Sequence, residues 1–165
     1  MQFQRLIRHL LTDHWSVRRA FPPAAMRAIG DKIGEQERRH GGQLRFVVEA
    51  SLPLVHLWHE QNARSRAIEL FGQLRVWDTE HNSGVLIYLL LADKQVEIVA
   101  DRGIHNKVGD TAWEIICGEM QRAFAAGRFD QGAISGVQAI SDLLAAHFPR
   151  AKGDTDELPN EPLVL

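Results

Sequence analysis

Phe3, Leu6, Ile7, Leu10, Leu11 and Trp15 recur at helical spacing with Arg5, Arg8 and His9 between them, which predicts one amphipathic helix at the start of the chain. Two uses of that helix stand open: docking on the core, or a surface for a partner or an anionic membrane. Phe21-Pro22-Pro23 ends it, because proline lacks an amide donor yet suits the first turn of a following helix. The second helix carries Met26, Ile29 and Ile33 on its apolar side and is expected to reach His40, where Gly41-Gly42 supplies the stop.

A strand is expected over 43–50, ended by Pro53, and then one helix over 56–76 with Ala67, Leu70, Phe71 and Leu74 inward. Residues 85–91 are almost unbroken apolar sequence, the mark of a strand covered on both faces. Asp93-Lys94 is short enough to turn this strand into a neighbour over Gln95–Ala100, so the pair should be an antiparallel hairpin. Asp101 to His105 forms the exit. Trp113, Ile116, Met120 and Phe124 then mark one helix, and Ile134, Val137, Ile140, Leu143 and Leu144 another. The order of elements predicts an α/β domain over 22–149, a central mixed sheet flanked by helices, preceded by the amphipathic segment 1–21. Residues 150–165, rich in Asp, Glu and Pro, read as an extended or mobile tail.

The 165 residues suit one such domain, and 45% hydrophobic against 24% charged residues is globular composition. A formal charge of −2 gives no field that would draw nucleic acid. Cys117 is the single cysteine, which excludes an internal disulfide and any multi-thiolate metal site, and favours a reducing compartment. No apolar run approaches the roughly 20 residues of a membrane-spanning helix, and no secretory leader is visible, so a cytoplasmic location is expected.

Three strings carry more than periodicity: Asn82-Ser83-Gly84-Val85-Leu86-Ile87-Tyr88, Asp101-Arg102-Gly103-Ile104-His105-Asn106-Lys107-Val108-Gly109-Asp110 with Trp113, and Gly127-Arg128-Phe129-Asp130-Gln131-Gly132. Together they resemble the TPM domain family over residues 25–149, in particular its short bacterial branch, in which a Glu-Leu-Pro like Glu157-Leu158-Pro159 recurs near the end. The resemblance implies a mixed β-sheet flanked by helices. It also implies calcium or magnesium near the loops at one sheet edge and the acid phosphatase activity attributed to plant relatives. Members in the thylakoid lumen are linked to photosystem II repair, and a nematode member modulates acetylcholine receptors. These roles share no chemistry, and the family strings are turn glycines and core positions, so they carry no nucleophile over to this chain.

Read for chemistry, Cys117 sits among Ile115, Ile116 and Met120 without a phosphate-cradling loop, which fits a structural thiol. No Gly-rich run ending in Lys-Ser or Lys-Thr appears, so no nucleotide or organic cofactor is expected. His56 and His59 lie one helical turn apart, but Glu60 follows both, contrary to helical zinc motifs. The loop before the central strand is richer: Asp78, Glu80 and Asn82 alternate as oxygen donors. It lacks the closing glutamate of a calcium loop, so further donors must come from elsewhere. In an antiparallel hairpin the segment after Ala100 returns to the same end, bringing Asp101 near Asn82. Asp78, Glu80, Asn82 and Asp101 are therefore the expected ligands of calcium or magnesium, with His81, Arg102, His105 and Asp110 as auxiliary groups. The same residues also suit helix caps and turns. Three functions remain open: a cation-binding module with a protein partner, a metal-dependent phosphatase, and recruitment through the N-terminal helix.

Overall fold

Strand β2 (Gly84–Leu90) is buried at every position, as its apolar run requires. The computed structural model describes residues 3–165 and places β2 inside a four-stranded sheet of order β3-β2-β1-β4. Strand β1 (Gln43–Glu49) runs parallel to β2, and β3 (Gln95–Ala100) pairs antiparallel with it through the expected short turn. Lys94 occupies that turn with φ 54°, left-handed backbone of the kind tight hairpins demand.

Alternation along β2 divides the core. Val85, Ile87 and Leu89 join Leu44, Phe46 and Val48 of β1 under α3 (Pro23–Glu37), α7 (Asp110–Ala125) and α8 (Phe129–His147). Leu86, Tyr88 and Leu90 face the other way, toward α4 (Leu54–Trp58) and α5 (Ala63–Gln73). Each such Leu or Ile is worth about 1.5–3 kcal/mol on burial, so covering both faces is the main reason the layers hold. The result is the mixed-sheet α/β fold that the pattern predicts.

Four elements differ from expectation, each for a local reason. The N-terminal helix is two helices, α1 (Phe3–Leu11) and α2 (His14–Ala20), because Asp13 accepts from the Ser16 amide at 3.0 Å and starts a new helix with a reciprocal cap. The helix expected over 56–76 is likewise split into α4 and α5 by Asn62, which accepts from the Ser65 amide at 2.8 Å. The exit after β3 is the short helix α6 (Arg102–Val108), ended at Gly109 with φ 79°. The C-terminal segment is extended and returns to the sheet as β4 (Leu163–Val164), parallel to β1. Arg45 holds this strap by donating to the carbonyls of Pro159, at 2.6 Å, and Glu161.

Val17 and Phe21 reach the main core, whereas Phe3, Leu10, Leu11 and Trp15 remain exposed. Among the described residues no helix is long and apolar enough to cross a membrane.

Candidate functional site

The hairpin register sets Val85 opposite Ala100, so the segments before β2 and after β3 meet at the amino end of β2. The Asp101 amide donates to the Gly84 carbonyl at 2.8 Å and closes the junction. Thr79 accepts from the Ser83 amide at 3.1 Å, while Asn82 takes the left-handed region at φ 49°, which asparagine tolerates better than most residues. Two glycines permit the approach. A Cβ on Gly84 would overlap the Val76 carbonyl oxygen, and one on Gly103 would overlap that of Asn82 and sit 2.8 Å from that of His81.

Asp101 starts α6. Its Oδ1 accepts from the Arg102 amide at 2.7 Å, and its Oδ2 is buried with no hydrogen-bond partner. Asp101 lines a groove of about 680 Å³ together with Trp77, Asn82, Arg102, Gly103 and Asn106. Trp77 and Asn106 were not legible as site residues, since neither belongs to an oxygen-donor pattern.

The structure thus brings together Asn82 and Asp101, with Arg102 beside them. Asp78 and Glu80 are exposed and do not line the groove. The Glu80 amide faces the Glu157 carboxylate of the strap, at 3.3 Å to its nearer oxygen. His81 lies 3.6 Å from Asp154, and His105 3.7 Å from Asp110, so the auxiliary groups are dispersed over separate pairs. Among the described residues no three His, Cys, Asp or Glu side chains form a group that could hold a metal. What the groove does offer, beside Arg102 and the apolar Ile68, Phe71 and Trp77, is one carboxyl oxygen without a donor and the asparagines Asn82 and Asn106. Oxygen donors are the type calcium and magnesium take, whereas zinc prefers nitrogen and sulfur.

Cys117 is half-buried, and desolvation, reinforced by nearby Glu97, pushes its thiol up to about 11. It is therefore no thiolate nucleophile. The His56 side chain contacts that of Gln61, and His59 caps the end of α4.

Other buried polar groups escaped sequence reading. Glu49, the buried last residue of β1, receives a two-pronged bond from Arg66, both arms 3.0 Å, and the Tyr88 hydroxyl at 2.6 Å. An acid directly following the apolar run Phe46-Val47-Val48 was the available signal. Glu37 accepts from the Leu44 amide at 3.0 Å, yet burial pushes its carboxyl up to about 8, with Asp156 adding to the effect. His40, also buried, is lowered to about 4 by desolvation. At the opposite end, His9 accepts from the Leu52 amide at Nδ1, 3.0 Å, with Nε2 3.1 Å from Asp93.

Compared with known proteins, residues 18–143 match the TPM domain family. Among solved structures, the chain is similar to the BA42 protein from the psychrophilic bacterium Bizionia argentinensis. The TM-score is 0.75 and the identity 32%, covering 86% of this chain and 92% of that one. It also shares its fold with the N-terminal domain of a protein from P. gingivalis, at a TM-score of 0.59 and 21% identity, over 79% of this chain and 82% of that one. No curated protein matches the chain.

Proposed function

This chain belongs to the TPM domain family, and from that premise we propose that it binds a divalent cation, calcium or magnesium, in the groove lined by Asn82 and Asp101. The observation that carries the reading is Asp101 Oδ2, a buried carboxyl oxygen without a donor. Leaving such an atom unsatisfied costs about 1–3 kcal/mol, which a cation would relieve. One carboxylate next to Arg102 makes the site weak and leaves most coordination to water. This is the manner in which magnesium is commonly held.

Titrating the labelled protein with either ion tests this. Amides of Asn82, Arg102, Gly103 and Asn106 should shift saturably, and Asp101→Asn should abolish the shifts while keeping the fold. Shifts that persist in Asp101→Asn would remove Asp101 as a ligand.

A phosphatase extends the same reading, because Arg102 in the groove offers a guanidinium to a phosphate ester. It predicts metal-dependent turnover that disappears in Asp101→Asn; turnover retained in that variant would assign the activity elsewhere.

A second reading uses the N-terminal helices, where Leu10, Leu11 and Trp15 are 62%, 76% and 71% exposed beside Arg8, Arg18 and Arg19. This pattern suits an anionic membrane surface. Cosedimentation with anionic vesicles, lost in Leu10→Asp and Leu11→Asp, is the expected outcome; equal sedimentation of the variants would contradict it.

A further inference from the structure

A cavity of about 890 Å³ lies away from the Asp101 groove, at the carboxyl end of β2. Openings beyond the carboxyl ends of parallel strands are where α/β sheets commonly take ligands, and this volume is within the ~300–1,000 Å³ of small-molecule pockets. Its floor is apolar: Ala20, Ala25, Leu91, Ala92, Phe129 and Ile134 contribute, none of them exposed. Alanines at three of these positions leave open the space that larger side chains would fill.

The rim is cationic. Arg8, Arg19 and Lys94 line it, against the single acid Asp130. Arg19 and Lys94 make no ion pair among the described residues. Arg8 reaches Asp93 at 3.4 Å, but Asp93 also takes the Arg5 Nε donor at 2.9 Å and lies 3.1 Å from His9, so its charge is already shared. Asp130 accepts from the Gln131 amide at 2.8 Å. The first turn of α3, which contributes Ala24 and Ala25 to the wall, has no side-chain cap, adding to the positive field.

An apolar floor under a rim whose cations outnumber its one acid selects a ligand with both characters. We propose that this cavity binds a small amphiphilic anion, a carboxylate carrying an unbranched apolar tail, with the carboxylate at Arg19 and Lys94 and the tail along Leu91, Phe129 and Ile134. The site is independent of the cation groove, and neither proposal needs the other.

The test is an amide titration of the full chain with decanoate, decanol and decylamine, each below its micelle concentration. Decanoate should bind saturably below about 1 mM and shift Ala25, Ala28, Leu91, Lys94, Gly127 and Phe129 without moving Asn82 or Gly103. Decanol should bind more weakly and decylamine weakest. Arg19→Glu combined with Lys94→Glu, both at exposed positions, should weaken decanoate about tenfold or more and reverse the preference toward decylamine. Equal affinity for the three probes would overturn the anionic assignment. Absence of saturable shifts, or shifts confined to the exposed face of α1, would overturn the cavity itself.

Discussion

The two ends of the sheet are built on opposite plans. At the amino end of β2 the backbone does the work: Gly84 and Gly103 let loops touch, and a single carboxyl oxygen is left without a donor in a groove of mixed polar and apolar lining. At the carboxyl end side chains do it: alanines hollow the floor, and three cations stand around it with little acid to answer them. The first end is intolerant of added atoms. The second has room and charge to spare. Close backbone approach restricts residue type far more than an open wall of alanines does.

Substitutions can break this contrast, and the largest effect is expected from Gly84→Ala. Its Cβ would meet the backbone carbonyl of Val76, so the loss should be about 4 kcal/mol or more, seen as a collapsed thermal transition. Adding a methyl at the opposite end, as in Ala28→Val on the exposed cavity wall, should change stability by less than about 1 kcal/mol, reflecting only helix propensity. Next comes Asp93→Ala, which leaves Arg5 and His9 without their shared carboxylate. A loss of about 2–4 kcal/mol is expected in denaturant titration, together with faster amide exchange in α1.

The two ends should also separate by pH. Burial holds His9 below its ordinary 6.5, so the stability it contributes is present above that value and is lost as pH falls below it, loosening the carboxyl end in acid. Glu37, near the amino end of β1, is raised from 4.5 to about 8. The unfolded chain ionises first, so stability falls as pH rises through that window. Glu37→Gln should therefore stabilise the protein increasingly across it, by at most about 1.4 kcal/mol per pH unit. His40, lowered to about 4, adds an acid-side loss at the same end. The smallest structural effect is expected from Asp101→Asn. Asparagine still caps α6, so melting should change by about 0.5 kcal/mol or less while cation binding is lost.

Strands β1 to β3 and the long helices were legible because their burial repeats along the sequence, and the antiparallel hairpin was legible from its short polar connection, although the turn takes in Leu91 and Ala92 as well and Leu90 pairs with Gln95. The missed breaks at Asp13 and Asn62 have a shared signature, a short polar residue with Ser three positions on, which periodicity hides because the apolar spacing continues across it. Strand β4 is only Leu163–Val164 and pairs because Arg45 fixes the strap beside it, a contact without local trace. Of the proposed ligands, Asn82 and Asp101 met because the hairpin geometry forces them together. Asp78 and Glu80 lie on the exposed part of their loop, where Glu157 of the strap faces the Glu80 amide. The cavity at the carboxyl end had no sequence signal at all, since its lining comes from several separate elements.

The central claim is that an ion sits beside Asp101, and manganese, a paramagnetic stand-in for magnesium, tests it most directly by broadening the amides nearest to it. The account predicts selective loss of the Asn82, Arg102 and Gly103 signals at low manganese, restored by excess magnesium and absent in Asp101→Asn. Broadening centred instead on the acidic strap around Asp154, Asp156 and Glu157, or spread evenly over the surface, would contradict it.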